Sequence, residues 1–175
     1  MRLIATLLLA SSLAAPAAAQ SARTASFAGP WRLDVSQSRD LPGFYAAVRE
    51  HTLDIAQDDS LLAVDVVMVD TAGVAQKMRF PYDLRRPVKT TTQVRTPTGP
   101  REIPTTLTAT PRADGGVDVD IAREFTMGER VLRPFDRETW HLSPDGTQLL
   151  IDREAEMPGP GGMRTLKAHY VFVRR

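Results

Sequence analysis

Three observations predict an all-β fold, an antiparallel meander of about nine or ten strands closed into a barrel. The first is the stretch Phe135 to Arg153, which reads as two strands around the turn Ser143-Pro144-Asp145-Gly146. There proline presets φ, aspartate caps its own backbone and glycine takes positive φ. The second is hydrophobic periodicity: from about residue 50 onward apolar side chains recur with a period of two, not 3.6. The third is that short loops between these runs keep the apolar set on one common face. With a loop at 143–146, Leu142 faces Thr147, Trp140 faces Leu149, Glu138 faces Ile151 and Asp136 faces Arg153. A loop at 113–115 sets Thr105 against Arg123, a Met127-Gly128 loop sets Arg123 against Leu132, and a loop at 158–163 sets Ile151 against Tyr170. A one-residue slip would turn the apolar set outward, so the agreement argues for a continuous meander. Closure then removes edges that would template aggregation.

In chain order, Gly29-Pro30 precedes a first strand at Trp31 to Asp34, and Ser36 to Arg49 is a loop with one helical turn through Phe44 to Val48. Thr52 to Gln57 alternates around Leu53 and Ile55; Asp58-Asp59 turns; Leu62, Val64, Val66 and Met68 alternate down the next strand. After a turn at Asp70 to Gly73, Gln76, Met78, Phe80 and Tyr82 run in phase. Lys89 to Arg95 is a Thr-rich strand, suited to a half-buried pleat. In Glu102 to Arg112, Pro104 and Pro111 mark an edge, a bulge or a solvent-facing position. Val117, Val119, Ile121, Arg123 and Phe125 share one face, with Asp118, Asp120 and Glu124 on the other. Leu132 to Leu142 returns, and Arg164 to Arg174 closes the chain with Leu166, Ala168, Tyr170 and Phe172 in phase.

Residues 1–19 carry Arg2, an apolar run from Leu3 to Leu13 and small residues ending at Ala17-Ala18-Ala19, the pattern of a secretory signal peptide too short to span a bilayer. The expected organisation is therefore signal peptide at 1–19, disordered leader at 20–28 and a single barrel domain at 29–175, in a periplasmic or secreted protein with no integral membrane segment after cleavage. Cysteine is absent, so the exported domain stands without disulfides. Twenty-two Lys+Arg against 21 Asp+Glu give a net charge of +1, which argues against nucleic acid as a partner. Oligomeric state is not encoded in any pattern here.

Phe27-Ala28-Gly29-Pro30-Trp31-Arg32-Leu33 resembles the opening strand of the lipocalin and fatty-acid-binding families, the calycins, in which Gly-x-Trp starts the barrel. The run Glu138-x-Trp140-x-Leu142-Ser143-x-Asp145-Gly146-x-x-Leu149-x-Ile151-x-Arg153 resembles the second half of small exported lipocalin-like proteins. The resemblance implies a small-molecule ligand, structural roles for Gly29 and Trp31, and an arginine of the last strand, Arg174 or Arg164, stacked on Trp31. The chain departs from those families in lacking a flanking C-terminal helix and the Arg-x-Tyr pair that grips carboxylates.

Arg123 and Arg153 are in phase with apolar side chains, and a buried guanidinium needs an anion. That anion is either a ligand's carboxylate or phosphate, or an internal partner. Arg153 has Asp136 across the hairpin with Glu138 diagonal to it, whereas Arg123 has only Thr105 opposite, which makes Arg123 the sharper ligand candidate. Tyr82 and Tyr170 on the same face are candidate pocket tyrosines, and Thr105, opposite Arg123, is a further ligand-binding candidate; Trp140 and Phe172 are expected to fill core. The three histidines have no metal-ligand spacing, and no nucleophile-elbow, zincin or P-loop motif occurs, so no cofactor and no metal is expected. Three functions remain open: a ligand-binding barrel; a cofactor-independent isomerase or lyase with Tyr82 or Tyr170 as acid; and an envelope interaction module with a solid core.

Overall fold

The computed structural model describes residues 25–96, 99–127, 130–159 and 162–175; the expected signal peptide and the start of the expected leader lie outside these residues. Among the described residues twelve strands form: β1 (Gly29–Leu33), β2 (Val48–Gln57), β3 (Leu61–Asp70), β4 (Ala75–Asp83), β5 (Val88–Thr96), β6 (Gly99–Pro111), β7 (Val117–Arg123), β8 (Phe125–Met127), β9 (Arg130–Leu132), β10 (Asp136–Leu142), β11 (Gln148–Gly159) and β12 (Gly162–Arg174). A 3-10 turn at Gly43–Ala47 stands where the sequence predicts a helical turn.

Ten of the strands make one antiparallel sheet in the order β4-β3-β2-β1-β12-β11-β10-β7-β6-β5. Strands that follow one another in the chain pair, except that β4 and β5 do not and that β7 pairs β10 past the β8–β9 hairpin; the first and last strands pair with each other, Trp31 opposite Arg174 and Leu33 opposite Phe172. The sheet thus curls into a nearly closed barrel whose seam lies mid-chain, between β4 and β5. The seam strands approach each other, and an Asp83–Arg86 bridge turns one into the other. β8 and β9 form a separate hairpin between β7 and β10.

The expected phases hold, but two registers are corrected. In the β10–β11 hairpin Leu142 faces Leu149, Trp140 faces Ile151, Glu138 faces Arg153 and Asp136 faces Ala155, a slip of two residues that leaves every side chain on its expected face. The cause is the turn itself. The Asp145 carboxylate accepts from the Thr147 N–H and hydroxyl, at 3.1 and 2.9 Å, and draws Thr147 into the loop. Ser143 then closes the ladder against Gln148. Likewise Phe125, not Arg123, faces Leu132, and Met127 pairs with Arg130 around residues 128–129, which lie outside the described set. The two strands expected here as continuous are each broken, before β8 and around Pro134, which has no N–H to give a ladder. The predicted Thr105–Arg123 and Ile151–Tyr170 pairs form. Pro104 and Pro111 sit at the two limits of the β6–β7 ladder, both exposed.

Inward-phased side chains make the core: Leu53, Ile55, Leu62, Val64, Tyr82, Leu107, Val117, Val119, Ile121, Trp140, Leu149, Ile151, Tyr170 and Phe172 are all buried. Part of the expected leader belongs to this core. Phe27 is fully buried with its ring edge-on to Trp140 at 6.0 Å, its N–H donates to Gln57 at 2.7 Å, and Ala25 donates to the Gly115 carbonyl at 2.8 Å. Trp31 is also fully buried, donates its indole N–H to the Phe27 carbonyl at 2.8 Å and carries the Arg174 guanidinium 4.4 Å above its ring. Gly29 has φ of 122°, and a Cβ there would lie 2.9 Å from that guanidinium. Of the two arginines the resemblance offered for this stack, Arg174 holds the position.

Candidate functional site

The barrel is hollow. A cavity of about 1030 Å³ runs inside it, lined by residues of β2 through β8 and of β10, β11 and β12 and by Pro42, Phe44 and Tyr45 around the 3-10 turn. Drug-sized ligands occupy pockets of about 300 to 1,000 Å³, so the cavity has the size to admit one. Most of the wall is aliphatic and aromatic, including Val64, Val66, Phe80, Ile121, Ile151 and Phe172.

Part of the polar wall is one connected cluster; Gln76, Arg101, Glu102, Glu124 and Glu156 line the cavity apart from it. Asp136, its side chain 4% exposed, accepts from Arg153 Nε at 2.7 Å and Nη2 at 2.6 Å, a bidentate fork, and from Arg123 Nη1 at 3.3 Å. The expectation that Arg123 has no protein partner is therefore corrected. β7 and β10 are neighbours in the sheet, and Asp136 projects where both arginines reach it. The pairing of Asp136 with Arg153 forms as the sequence suggests, though diagonally after the two-residue slip. Arg123 is held by that single long contact, and its Nε is buried without a partner. Glu138 lies 3.7 Å from Arg153 Nε and accepts the Trp140 indole N–H at 2.8 Å. Burial pushes the Glu138 pKa upward, Arg153 opposes that shift, and Asp136 adds to it. Burial alone would weaken Arg153's hold on its proton, but the Asp136 and Glu138 carboxylates outweigh burial and raise it.

Arg153 Nη1 also reaches the Tyr170 hydroxyl, at 3.4 Å, and Tyr45 lies against Tyr170 with ring centroids 5.7 Å apart. Beyond it, the Tyr45 hydroxyl is 3.0 Å from His51 Nδ1. Burial lowers the His51 pKa to about 4, helped by the nearby Arg153 charge, so the imidazole is neutral at physiological pH. Burial likewise raises the hydroxyls of Tyr45, Tyr82 and Tyr170, which keep their protons.

Arg123, Arg153, Tyr82 and Tyr170 thus share one cavity with Asp136 and Trp140. Thr105 does not line it: the residue is buried opposite Arg123 and its hydroxyl donates to the Ile103 carbonyl at 3.0 Å. Tyr45 and His51 are site residues the sequence reading leaves in a loop and at a strand start. His51 was legible from its phase, two residues before Leu53, once β2 is extended to Val48; Tyr45 carries no periodic signal. His169 is outside, paired with Asp152 at 2.7 Å. Among the described residues no group of three or more candidate ligands could hold a metal, and no helix is long and apolar enough to cross a membrane.

No protein-family model matches the chain, and no curated protein matches it. The functional reading therefore rests on the cavity and its residues.

Proposed function

We propose that this protein is an exported, periplasmic or secreted barrel of lipocalin-like (calycin) type that holds a small, largely apolar ligand in its interior, with an anionic or polar head against Arg123 and Arg153. The observation that carries the reading is the cavity of about 1030 Å³, its wall largely apolar, into which a linked group of buried charges faces. A half-buried guanidinium held by one contact of 3.3 Å, with a buried and unpartnered Nε, is short of the hydrogen bonds such a group normally makes. A ligand oxygen on Arg123 supplies what is missing. Tyr82 and Tyr170 add hydroxyls, and Gly29, Trp31 and Arg174 support the barrel around β1. The test is to titrate decyl sulfate into the wild type and the Arg123→Leu variant by calorimetry, with urea denaturation of both in parallel. Affinity falls more than stability if Arg123 meets the head, and equal affinity removes Arg123 from the site.

One contact favours a second reading, a cofactor-independent isomerase or lyase. The Tyr45–His51 pair, 3.0 Å apart and next to Tyr170, presents a neutral imidazole and tyrosine hydroxyls to the same cavity, the groups needed to move a proton on a bound carbonyl compound. Deuterium exchange into a β,γ-unsaturated ketone that disappears in Tyr170→Phe supports this reading; no exchange above the buffer rate counts against it.

A further inference from the structure

The polar cluster holds two arginines and two carboxylates, and the carboxylates are not equivalent. Asp136 is the more buried, with a side chain 4% exposed against 17% for Glu138. Asp136 takes both forks of Arg153 and one nitrogen of Arg123, all within 3.3 Å. Glu138 stands 3.7 Å from the same Arg153, beyond hydrogen-bond reach, and its one hydrogen bond is the neutral indole N–H of Trp140. Both carboxylates line the cavity. With all four groups charged the cluster sums to zero, so an anionic head entering beside Arg153 leaves a net negative charge in a region of low dielectric, where it is costly. The group whose charge is most easily given up is the one with the weakest link to a guanidinium.

We propose that Glu138 is a displaceable internal counter-ion: an anionic head takes over its place beside Arg153, the Glu138 carboxylate takes up one proton from solvent, and binding of an anionic amphiphile is thereby coupled to proton uptake. No covalent bond is made or broken beyond that O–H. The inference rests on the ligand-binding reading and sharpens it, because it makes the head an anion and makes the affinity rise as pH falls. Burial already biases Glu138 toward its protonated form. The titratable groups facing it are Asp136 on its own strand, Arg123 on β7, Arg153 on β11, Tyr170 on β12, Tyr82 on β4 and Tyr45 on the 3-10 turn. The tyrosines stay neutral and the arginines stay charged. Farther along the wall lie His51 on β2 and the carboxylates of Glu102, Glu124 and Glu156.

The test compares decyl sulfate, whose head keeps its charge, with decanol, which has none, by isothermal titration calorimetry at several pH values between about 5 and 8, in two buffers of different ionisation enthalpy. The expected result is net uptake of up to one proton with decyl sulfate and none with decanol, with decyl sulfate affinity falling by up to about tenfold per pH unit once Glu138 is ionised. Glu138→Gln removes the uptake and binds decyl sulfate more tightly at the upper pH, while His51→Gln keeps the uptake; if the Glu138 variant does not fold, the Glu138 carboxyl ¹³C shift of the wild type moves on binding, and uptake with that shift unchanged overturns the inference. Decyl sulfate binding without proton uptake overturns the inference and leaves the ligand-binding reading standing; so does uptake that survives in Glu138→Gln. Failure of both decyl sulfate and decanol to bind overturns the ligand-binding reading, and this inference with it.

Discussion

Replacing Asp136 by asparagine keeps the shape of the residue that ties β7, β10 and β11 together and removes its charge. The side chain is 4% exposed and accepts three charged hydrogen bonds, at 2.6, 2.7 and 3.3 Å, from two guanidiniums that are themselves only 22% and 27% exposed. Removing one partner of a buried ion pair costs about 3–5 kcal/mol, because the remaining charge stays buried without compensation. Glu138, 3.7 Å from Arg153, can swing in and recover part of that, so the lower limit of about 3 kcal/mol is expected. For a domain of this size each kcal/mol moves the melting temperature by roughly 2–4 °C, giving a fall of roughly 10 °C. Urea denaturation followed by tryptophan fluorescence measures the free energy and a circular dichroism melt measures the temperature. A double variant, Asp136→Asn with Glu138→Gln, loses the fallback and is the least stable of the set. A loss under about 1 kcal/mol in Asp136→Asn would show that the arginines do not depend on this carboxylate, and the charge-cluster argument would fail with it.

Burial of His51 gives a pH prediction with a definite sign. A histidine whose folded pKa is lowered to about 4 from 6.5 contributes stability that is fully present above the unfolded value and lost as pH falls from 6.5 toward 4. The loss is on the order of 3 kcal/mol. The raised Glu138 works in the opposite direction over part of that window, so the quantity to measure is the difference between wild type and His51→Gln in urea at pH 7 and near pH 4.5: the variant should have the flatter dependence. Gly116→Ala should destabilise by about 1–3 kcal/mol, because its Cβ would sit 2.7 Å from the Trp140 carbonyl, a backbone atom of the neighbouring strand that cannot step aside. Gly29→Ala adds strain at φ of 122° but meets only the movable tip of Arg174. It should cost about 1–2 kcal/mol in the same denaturation assay.

The barrel was legible because alternation reports which face a residue takes, and face survived every local error. Arg123, Asp136, Arg153, Tyr82, Trp140 and Tyr170 were all placed inward from phase alone and all are inward. Register is a different kind of information. A slip of two residues changes partners without changing faces, so nothing in the pattern of Trp140, Leu142, Leu149 and Ile151 separates a loop at 143–146 from one at 144–147; the Asp145 contacts to Thr147 decide it. Arg123 was left without a partner for a related reason, since its anion comes from β10 and the break at Pro134 sets that pairing. Tyr45 was illegible because a single 3-10 turn has no period. Phe27 was read as leader although it is core, since one aromatic residue among small ones carries no alternation.

A small molecule in the interior would meet the two tryptophans of the chain differently, since both are buried in the core but Trp140 alone of the two lines the cavity. The Trp140 indole N–H donates to Glu138 and the residue lines the cavity, whereas the Trp31 indole N–H donates to the Phe27 carbonyl and Trp31 does not line it. In a ¹⁵N-labelled sample titrated with decyl sulfate, the account predicts that the Trp140 indole resonance moves saturably while that of Trp31 stays in place. A saturable shift at Trp31 alone, or no shift at either indole, would contradict it.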